Sequence, residues 1–399
     1  MANEARDTTW QAAKLNLREF AKLVDDEQQS LIDAKGTKKV GYICNYTPVE
    51  LLNAAGVRHS RLVKTGSPKT VSAGELYTQS VFCDFTKSCI GFFQEDDPFY
   101  KSFDKVYNFH SCSTMKRASE VIEQFVPVKL LNLPKLRSSQ DARNFFREEI
   151  INFKDDLGEL TGTRVQDEEV RRQITIYNRA RALLKQISEL RKGPYPVISG
   201  AEFLDLVRGY YYLPGEKLVQ ALEQVQRHLE GIPVPPGRPL RLMISGSIMA
   251  DGDRRLLNIL ENELGARVVI EDHCAGVRPF YHRVAEAGDP YRALANGYLD
   301  QAPCARMKPL EDGVTFSGKL AREYSVDGVV YVYLKFCACY GVSKKEFISE
   351  FQKQDLPILE ISSDYSESDY GQLKTRIEAF VEVLNERGGT ISHEQYVNA

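Results

Sequence analysis

The sequence lacks any long apolar run, and this absence limits where the protein can reside. No segment approaches the roughly 18 consecutive apolar residues that a membrane-spanning helix needs. The first residues, 1–7, are polar and include acids, so they hold no apolar signal-peptide core. We therefore expect a cytoplasmic protein with no membrane partner, in a compartment that keeps thiols reduced.

A strong excess of charge of either sign is also absent. The chain has 52 Lys and Arg residues against 55 Asp and Glu residues, a net charge of −3, and its basic residues are scattered. Nucleic-acid-binding proteins concentrate positive charge on one face, so we expect no nucleic-acid partner. The hydrophobic fraction of 43% is typical of a globular protein, and 399 residues are too many for one core.

A nucleotide-binding loop is missing as well. The nearest approach, residues 313–320, has Leu320 where a phosphate-binding loop places its magnesium-binding Ser or Thr, and no predicted strand precedes it. Residues 246–250 lie between a predicted strand and a helix, a position that suits an anion, but we expect an ordinary turn there. ATP hydrolysis is therefore not expected in this chain.

What the sequence does contain is a twice-repeated alternation of strand-like and helix-like segments, through residues 38–137 and again through residues 237–399. Such alternation over short connections is typical of parallel sheets. The predicted fold class is therefore α/β, with two doubly wound, Rossmann-like lobes. Residues 1–37 predict an N-terminal helical segment, residues 72–94 one helix of the first lobe, and residues 138–236 a helical insert ending in a linker rich in Pro and Gly.

Eight cysteines are the most informative residues, because a reducing compartment argues against disulfides. Four of them follow predicted strands: Cys44, Cys112, Cys274 and Cys337. Ligands of open α/β sheets bind outside the carboxyl ends of the strands, so two facing lobes would bring these thiols into one cleft. Core thiols, catalytic thiols, a zinc site and an iron–sulfur cluster are the interpretations that stay open; zinc favours C-x₂-C pairs, whereas dispersed thiolates suit a cluster.

Several motifs follow one another in a fixed order along the chain. They are Gly41-Tyr42-Ile43-Cys44-Asn45-Tyr46-Thr47-Pro48-Val49-Glu50-Leu51-Leu52, Cys83-Asp84-Phe85-Thr86-Lys87-Ser88, Cys112 with Lys116, Phe336-Cys337, Leu356-Pro357-Ile358-Leu359 and Thr375-Arg376-Ile377-Glu378-Ala379-Phe380. Together they resemble the benzoyl-CoA reductase/2-hydroxyacyl-CoA dehydratase family, over about residues 38–385.

The resemblance implies an iron–sulfur cofactor. Ordinary dehydratase subunits of this family hold a [4Fe–4S] cluster on three cysteines, to which Cys83, Cys112 and Cys337 are similar. Three further cysteines resemble the extra ligands of the family's double-cubane branch, which binds an [8Fe–9S] cluster: Cys44, Cys274 and Cys304. The other two, Cys89 and Cys339, match no ligand position, and two interpretations stay open for them: spare buried thiols, or ligands in a set shifted by one turn.

The resemblance also implies partners and an activity. The partners would be a separate ATP-hydrolysing activator with its own [4Fe–4S] cluster, and a second subunit, in a homodimer or a heterodimer with a homologous chain. The leading hypothesis is an enzyme, an ATP-dependent low-potential reductase component that passes single electrons to a small molecule or an acyl-CoA. The alternatives are a benzoyl-CoA reductase or dehydratase subunit with a [4Fe–4S] cluster, and a non-catalytic electron carrier.

Several charged and titratable residues near these cysteines are candidates for roles in the chemistry. His110 and His273, two residues and one residue from predicted ligands, are candidate proton donors. Glu50 is expected to favour the start of a helix rather than to relay protons. Three cations are candidates to moderate the negative charge of a thiolate cluster: Arg278, Arg306 and Lys335.

Overall fold

The computed structural model describes residues 2–110, 112–366 and 370–388. The strands in them are β1 (Lys39–Tyr42), β2 (Arg58–Arg61), β3 (Lys105–His110), β4 (Val128–Asn132), β5 (Arg241–Gly246), β6 (Arg267–Asp272), β7 (Gly328–Leu334) and β8 (Ile358–Ser363). They form two four-stranded sheets, ordered β2-β1-β3-β4 and β6-β5-β7-β8. Every pairing between these strands is parallel, which confirms the predicted α/β fold with two doubly wound lobes.

Helices cover both sheets and fill the region between them. They are α1 (Ala2–Asp33), α2 (Val49–Ala54), α3 (Pro68–Glu75), α4 (Asp84–Gln94), α5 (Pro98–Lys101), α6 (Ser113–Ile122), α7 (Gln140–Thr161), α8 (Asp167–Glu189), α9 (Gly200–Tyr212), α10 (Gly215–Leu229), α11 (Arg255–Leu257), α12 (Pro290–Leu299), α13 (Leu310–Glu323), α14 (Ala338–Val342), α15 (Lys344–Gln352) and α16 (Tyr370–Gly388). A 3₁₀ turn, Leu190–Lys192, follows α8, and a π-helical turn, Asn258–Glu263, continues α11. None of the described helices is long and apolar enough to cross a membrane.

The strand orders give each sheet a point at which the direction of winding reverses. In the first lobe the chain starts at β1, moves outward to β2 and then returns to the other side of β1 as β3. The second lobe repeats this course with β5, β6 and β7. Crossover points of this kind open a crevice at the carboxyl ends of the strands, where ligands bind. The fold therefore supplies two such crevices, one in each lobe.

The prediction of a single helix over residues 72–94 is wrong. Ser67 caps a helix that already starts at Pro68, and this helix, α3, ends at Glu75. The chain then turns, and Cys83 becomes the N-cap of α4 instead of lying inside a helix. The two short helices pack closely side by side, and this tertiary contact outweighs the helical periodicity of the sequence.

Strand β2 was not predicted, because its residues, Arg58 to Arg61, are polar and show no alternation of apolar side chains. Its burial comes from pairing with β1 and from the helices above it. Tertiary context thus overrides a sequence that reads as a loop.

The helical insert binds both lobes through buried ion pairs. On α8, Arg181 reaches Glu50 of the first lobe at 2.5 Å. Just after α8, Arg191 reaches Glu271 of β6 at 2.6 Å, and the side chains of both partners are 0% exposed. These two buried ion pairs attach the insert to both lobes. The predicted domain boundaries stay a prediction.

Candidate functional site

A cavity lies between the carboxyl ends of the two sheets. Six cysteines line it: Cys44, Cys83, Cys112, Cys274, Cys304 and Cys337. Each comes from a different loop between consecutive helices or strands, so their proximity results from the fold and not from a short motif. The structure thus brings together all six cysteines that the sequence nominated as ligands.

Three of these cysteines share one local placement. Cys83, Cys112 and Cys337 are the N-cap residues of α4, α6 and α14. A side chain at this position lies beside the free backbone N–H groups of the first helical turn, where the helix dipole favours negative charge. The helices α4 and α6, of 11 and 10 residues, therefore favour the thiolate form of the cysteines that precede them.

The carbonyl of Cys274 is held by three side chains from different parts of the fold. Arg61 Nη1 donates to it at 2.8 Å, the Tyr211 hydroxyl donates at 3.1 Å, and Asn45 donates a third hydrogen bond. This loop after β6 is therefore fixed by residues of the first lobe and of α9. Cys274 depends on the assembled molecule for its position.

Arginines and hydroxyl groups contact the sulfur atoms. Arg61 Nη2 lies 3.3 Å from Cys274 Sγ, and Arg306 Nη1 lies 3.6 Å from Cys304 Sγ. Two threonine hydroxyls approach other sulfurs, at 3.2 Å for Thr86 with Cys83 and 2.8 Å for Thr114 with Cys112. Hydrogen bonds of this kind stabilise a thiolate, and those from charged donors are the stronger ones.

The pKa values of the thiols differ because their neighbours differ. Burial, together with the nearby Cys337, raises the pKa of Cys83 to about 11. Burial also acts on Cys304, but Arg306 and Arg278 outweigh it and lower its pKa. A hydrogen bond from Cys339, with the charge of Arg306, lowers the pKa of Cys112 despite its burial.

The two remaining cysteines lie elsewhere. Cys89 is 1% exposed and packs in the hydrophobic core on α4, away from the cavity lining. Cys339 is not among the residues that line the cavity, but its thiol forms a hydrogen bond with Cys112, which does line it. Cys339 is thus a neighbour of the site, and Cys89 is a core residue.

The histidines proposed as proton donors do not line the cavity. His110 Nε2 lies 3.2 Å from Asn132 Oδ1, and His273 is fully buried, with its Nδ1 accepting from the backbone N–H of Ala275. Burial, together with Arg278 and Arg61, lowers the pKa of His273 to about 3. Their role in proton transfer stays a prediction.

Of the three cations nominated from the sequence, two line the cavity. Arg278 and Arg306 do so, whereas Lys335 is exposed and pairs with Asp364 at 2.5 Å. Sequence reasoning missed Arg61, which also lines the cavity, because its strand was not predicted. No signal in the sequence separates Arg61 from an ordinary surface arginine.

Several buried polar atoms around the cavity have no hydrogen-bond partner among the described residues. They include the Tyr46 hydroxyl, both polar atoms of the Gln301 side chain, Arg278 Nη1 and Arg306 Nε. A buried polar group without a partner is costly, and most of these groups are donors. The cavity is therefore suited to a polar, electron-rich group.

The donor set fits a polynuclear cluster better than a single metal ion. Within the described part of the chain, no three His, Cys, Asp or Glu side chains converge closely enough to hold one ion. The six cysteines instead line one shared cavity, together with Arg61, Arg278 and Arg306. Thiolate ligands drawn from several loops, with donors directed at the sulfurs, suit an iron–sulfur group.

Comparison with known proteins agrees with this architecture. The family model described as "2-hydroxyglutaryl-CoA dehydratase, D-component" matches residues 44–384, a range that includes all six cavity cysteines. The chain belongs to the benzoyl-CoA reductase/2-hydroxyacyl-CoA dehydratase family. Membership of a family of dehydratase and reductase components supports an enzymatic role for the chain.

Relatives in this family match across both lobes. The chain is 30% identical over 358 residues to YjiM of Escherichia coli (strain K12), provisionally named a dehydratase subunit, covering 88% of this chain and 92% of YjiM. It is 22% identical over 375 residues to the (R)-phenyllactyl-CoA dehydratase beta subunit of Clostridium sporogenes, covering 92% and 98%. It is 24% identical over 309 residues to a subunit of the benzoyl-CoA reductase of Thauera aromatica, covering 75% and 78%.

Proposed function

We infer that this chain is the iron–sulfur component of an ATP-dependent, low-potential reductase, and that its six cavity cysteines bind an [8Fe–9S] double-cubane cluster. The observation that carries this proposal is the meeting of the six cysteines in one cavity, although they are spread along the chain from Cys44 to Cys337. A [4Fe–4S] cluster on three of them would leave Cys44, Cys274 and Cys304 without a function at the same cavity.

The residues around the cavity would hold such a group and keep water away from it. When bound, a cluster of this kind supplies single electrons at low potential. Ile43, Phe85 and Leu334 contribute apolar lining, which restricts solvent. Arg61, together with Arg306, supplies positive charge against the negative charge of the thiolates.

Electron supply is assigned to a separate ATP-hydrolysing activator with its own [4Fe–4S] cluster. The segment that most resembles a phosphate loop, residues 313–320, lies inside helix α13, where its backbone N–H groups are used in helical hydrogen bonds. Its Lys319 faces Glu323 at 3.5 Å on the helix surface. These features support the proposal that the activator, and not this chain, binds ATP. The second subunit would be another copy of this chain or a homologous one.

The test is a count of iron and acid-labile sulfide after anaerobic purification or reconstitution. About eight irons per chain would support the proposal, and about four would favour the [4Fe–4S] alternative. Cys274→Ser and Cys304→Ser should each lower the iron content, whereas Cys89→Ser, in the core, should leave it unchanged. Iron-free wild-type protein after reconstitution would contradict the proposal.

The second candidate is a dehydratase or benzoyl-CoA reductase subunit with a [4Fe–4S] cluster. Cys83, Cys112 and Cys337 share the N-cap placement that the other three lack. Three relatives are named as beta subunits of acyl-CoA dehydratases. On this alternative, Cys44→Ser would retain the full iron content, and an acyl-CoA would be the substrate.

A further inference from the structure

Four of the six cavity sulfurs fall into two pairs with different hydrogen-bond donors. The first, called here the arginine set, consists of Cys274 and Cys304, which accept from Arg61 and Arg306. The positive charge of Arg278 also interacts with both of these cysteines. Each sulfur in this set therefore faces a permanent cation.

The second, called here the hydroxyl set, consists of Cys83 and Cys112. Their side-chain hydrogen-bond partners are neutral: the Thr86 hydroxyl lies 3.2 Å from Cys83, and the Thr114 hydroxyl, at 2.8 Å, and the Cys339 thiol serve Cys112. Cys112 is among the groups whose charge acts on Cys83, so the two belong to one neighbourhood. Neutral donors stabilise a thiolate less than charged donors do.

Arg61 is held so that its charge stays at Cys274. Its Nε donates to the carbonyl of Ile43 at 3.0 Å, and its guanidinium lies 4.8 Å from the centre of the Tyr211 ring. The residue is only 2% exposed, and no Asp or Glu within the described residues forms an ion pair with it. A nearby anion stabilises a buried cation, and the sulfur of Cys274, 3.3 Å from Arg61 Nη2, would become one on binding a metal.

Arg306 interacts with sulfurs of both sets, whereas Arg61 contacts only a sulfur of the arginine set. Arg306 contacts Cys304, but its positive charge also acts on Cys112 of the hydroxyl set. Arg61 is therefore the residue that distinguishes one set from the other.

We propose that Arg61, acting through Cys274, makes the iron–sulfur group on the arginine set easier to reduce than the group on the hydroxyl set. This inference rests on the proposed function. Hydrogen bonds and positive charge at the sulfurs raise the reduction potential of an iron–sulfur group. The two ends of the cavity thus have unequal potentials, and Arg61 is the positioning residue that maintains the difference.

The experiment is a redox titration of the reconstituted chain followed by electron paramagnetic resonance, with iron content measured on the same samples. Arg61→Met should shift the more positive reduction step to a more negative potential and leave the other step in place. Arg61→Lys should retain most of the wild-type potential because it keeps the charge. Thr86→Val is the matched control in the hydroxyl set. It should shift only the more negative reduction step, and by less than Arg61→Met shifts the more positive step.

The outcomes separate this inference from the proposed function. Wild-type protein that binds no iron would overturn the proposed function itself. Arg61→Met protein with full iron content and unchanged potentials would overturn only the role of Arg61, as would an equal shift of both steps. If Arg61→Met fails to bind iron, Arg61→Gln, which keeps donors without charge, replaces it, and the same shift of one step is expected.

Discussion

At the scale of single residues, buried charges with several partners set local stability. Asp156 of α7 accepts a hydrogen bond from the Tyr107 hydroxyl at 2.5 Å and pairs with Lys105 at 2.6 Å and with Lys129 at 3.3 Å. Burial by itself raises the pKa of this carboxyl, but the hydrogen bonds from Lys105 and Tyr107 outweigh burial, and the pKa lies below its usual range. Asp156 thus links α7 to the edge of the first sheet.

Replacing Asp156 by Asn should destabilise the chain by about 1–3 kcal/mol near neutral pH, because a carboxylate with charged partners is lost. A carboxyl whose pKa is lowered by folding stabilises the protein above its unfolded pKa of about 3.9. That contribution disappears as the pH falls through the lower, folded pKa. Urea unfolding at several pH values should therefore show a difference between the two proteins that shrinks in acid.

The control is Asp155→Asn, since Asp155 is 58% exposed and pairs only with Lys154 among the described ion pairs. Surface substitutions of this kind usually change stability by less than about 0.5 kcal/mol. A stability difference between the wild type and Asp156→Asn that stays constant across the acid range would contradict the assigned charge state.

At the scale of elements, close contact between α3 and α4 positions Cys83. A Cβ atom at Gly91 would lie 1.8 Å from the carbonyl oxygen of Thr70, and one at Gly74 would lie 2.0 Å from the carbonyl oxygen of Lys87. The two backbones approach more closely than any side chain would allow. Glycine at both positions is therefore a packing requirement, and it places the N-terminus of α4 at the cavity.

Gly91→Ala should separate α3 from α4 and destabilise the protein by about 1–3 kcal/mol, as overpacking does. It should also lower the iron content after reconstitution, because Cys83 moves with α4. Thermal or urea unfolding and an iron assay measure the two effects. Gly371→Ala is the matched control, because nothing lies within 4 Å of a Cβ atom built there; it should be neutral or stabilising by up to about 1 kcal/mol.

At the scale of the whole molecule, a few contacts fix the positions of the two lobes relative to each other around the cavity. Glu50 on α2 accepts from Arg181 of the insert at 2.5 Å and from the Tyr298 hydroxyl of α12 at 2.7 Å. Backbone bridges also join the lobes directly, between Lys64 and Asp251 and between Leu136 and Lys308. Glu50, which we expect to favour the start of a helix, lies in the first turn of α2.

Glu50→Gln should destabilise the chain by about 3–5 kcal/mol, because it leaves the guanidinium of Arg181 buried without its counter-charge. Denaturant unfolding measures the loss. The double variant Glu50→Gln/Arg181→Met should recover part of it, because it removes the orphaned charge. Equal stability of Glu50→Gln and wild type would show that the pair does not hold the insert to the first lobe.

Much of the fold was predictable because its strands and helices have recognisable patterns of apolar residues in the local sequence. Strands that are apolar over several residues, such as β5 and β7, and the helices between them repeat at the spacing of an α/β sheet. The elements that escaped prediction lack such a pattern. Strand β2 is polar, and the break between α3 and α4 is imposed by helix packing.

The candidate site was predictable in part for the same reason. A cysteine directly after a strand is visible in the sequence, and so is a motif shared with a family. Arg61, Gln301 and Tyr46 were not nominated, because their importance depends on which distant residues they face.

The sequence by itself determined the α/β class, the family and which six of the eight cysteines to expect at the site. Periodicity and ordered motifs are properties of neighbouring residues, so they can be read without the structure. Only the tertiary structure decided that these cysteines meet, that Cys83, Cys112 and Cys337 cap helices, and that Arg61 faces a sulfur. Those facts depend on how two lobes and an insert pack, and the free energy of packing is a sum over contacts between residues far apart in the chain.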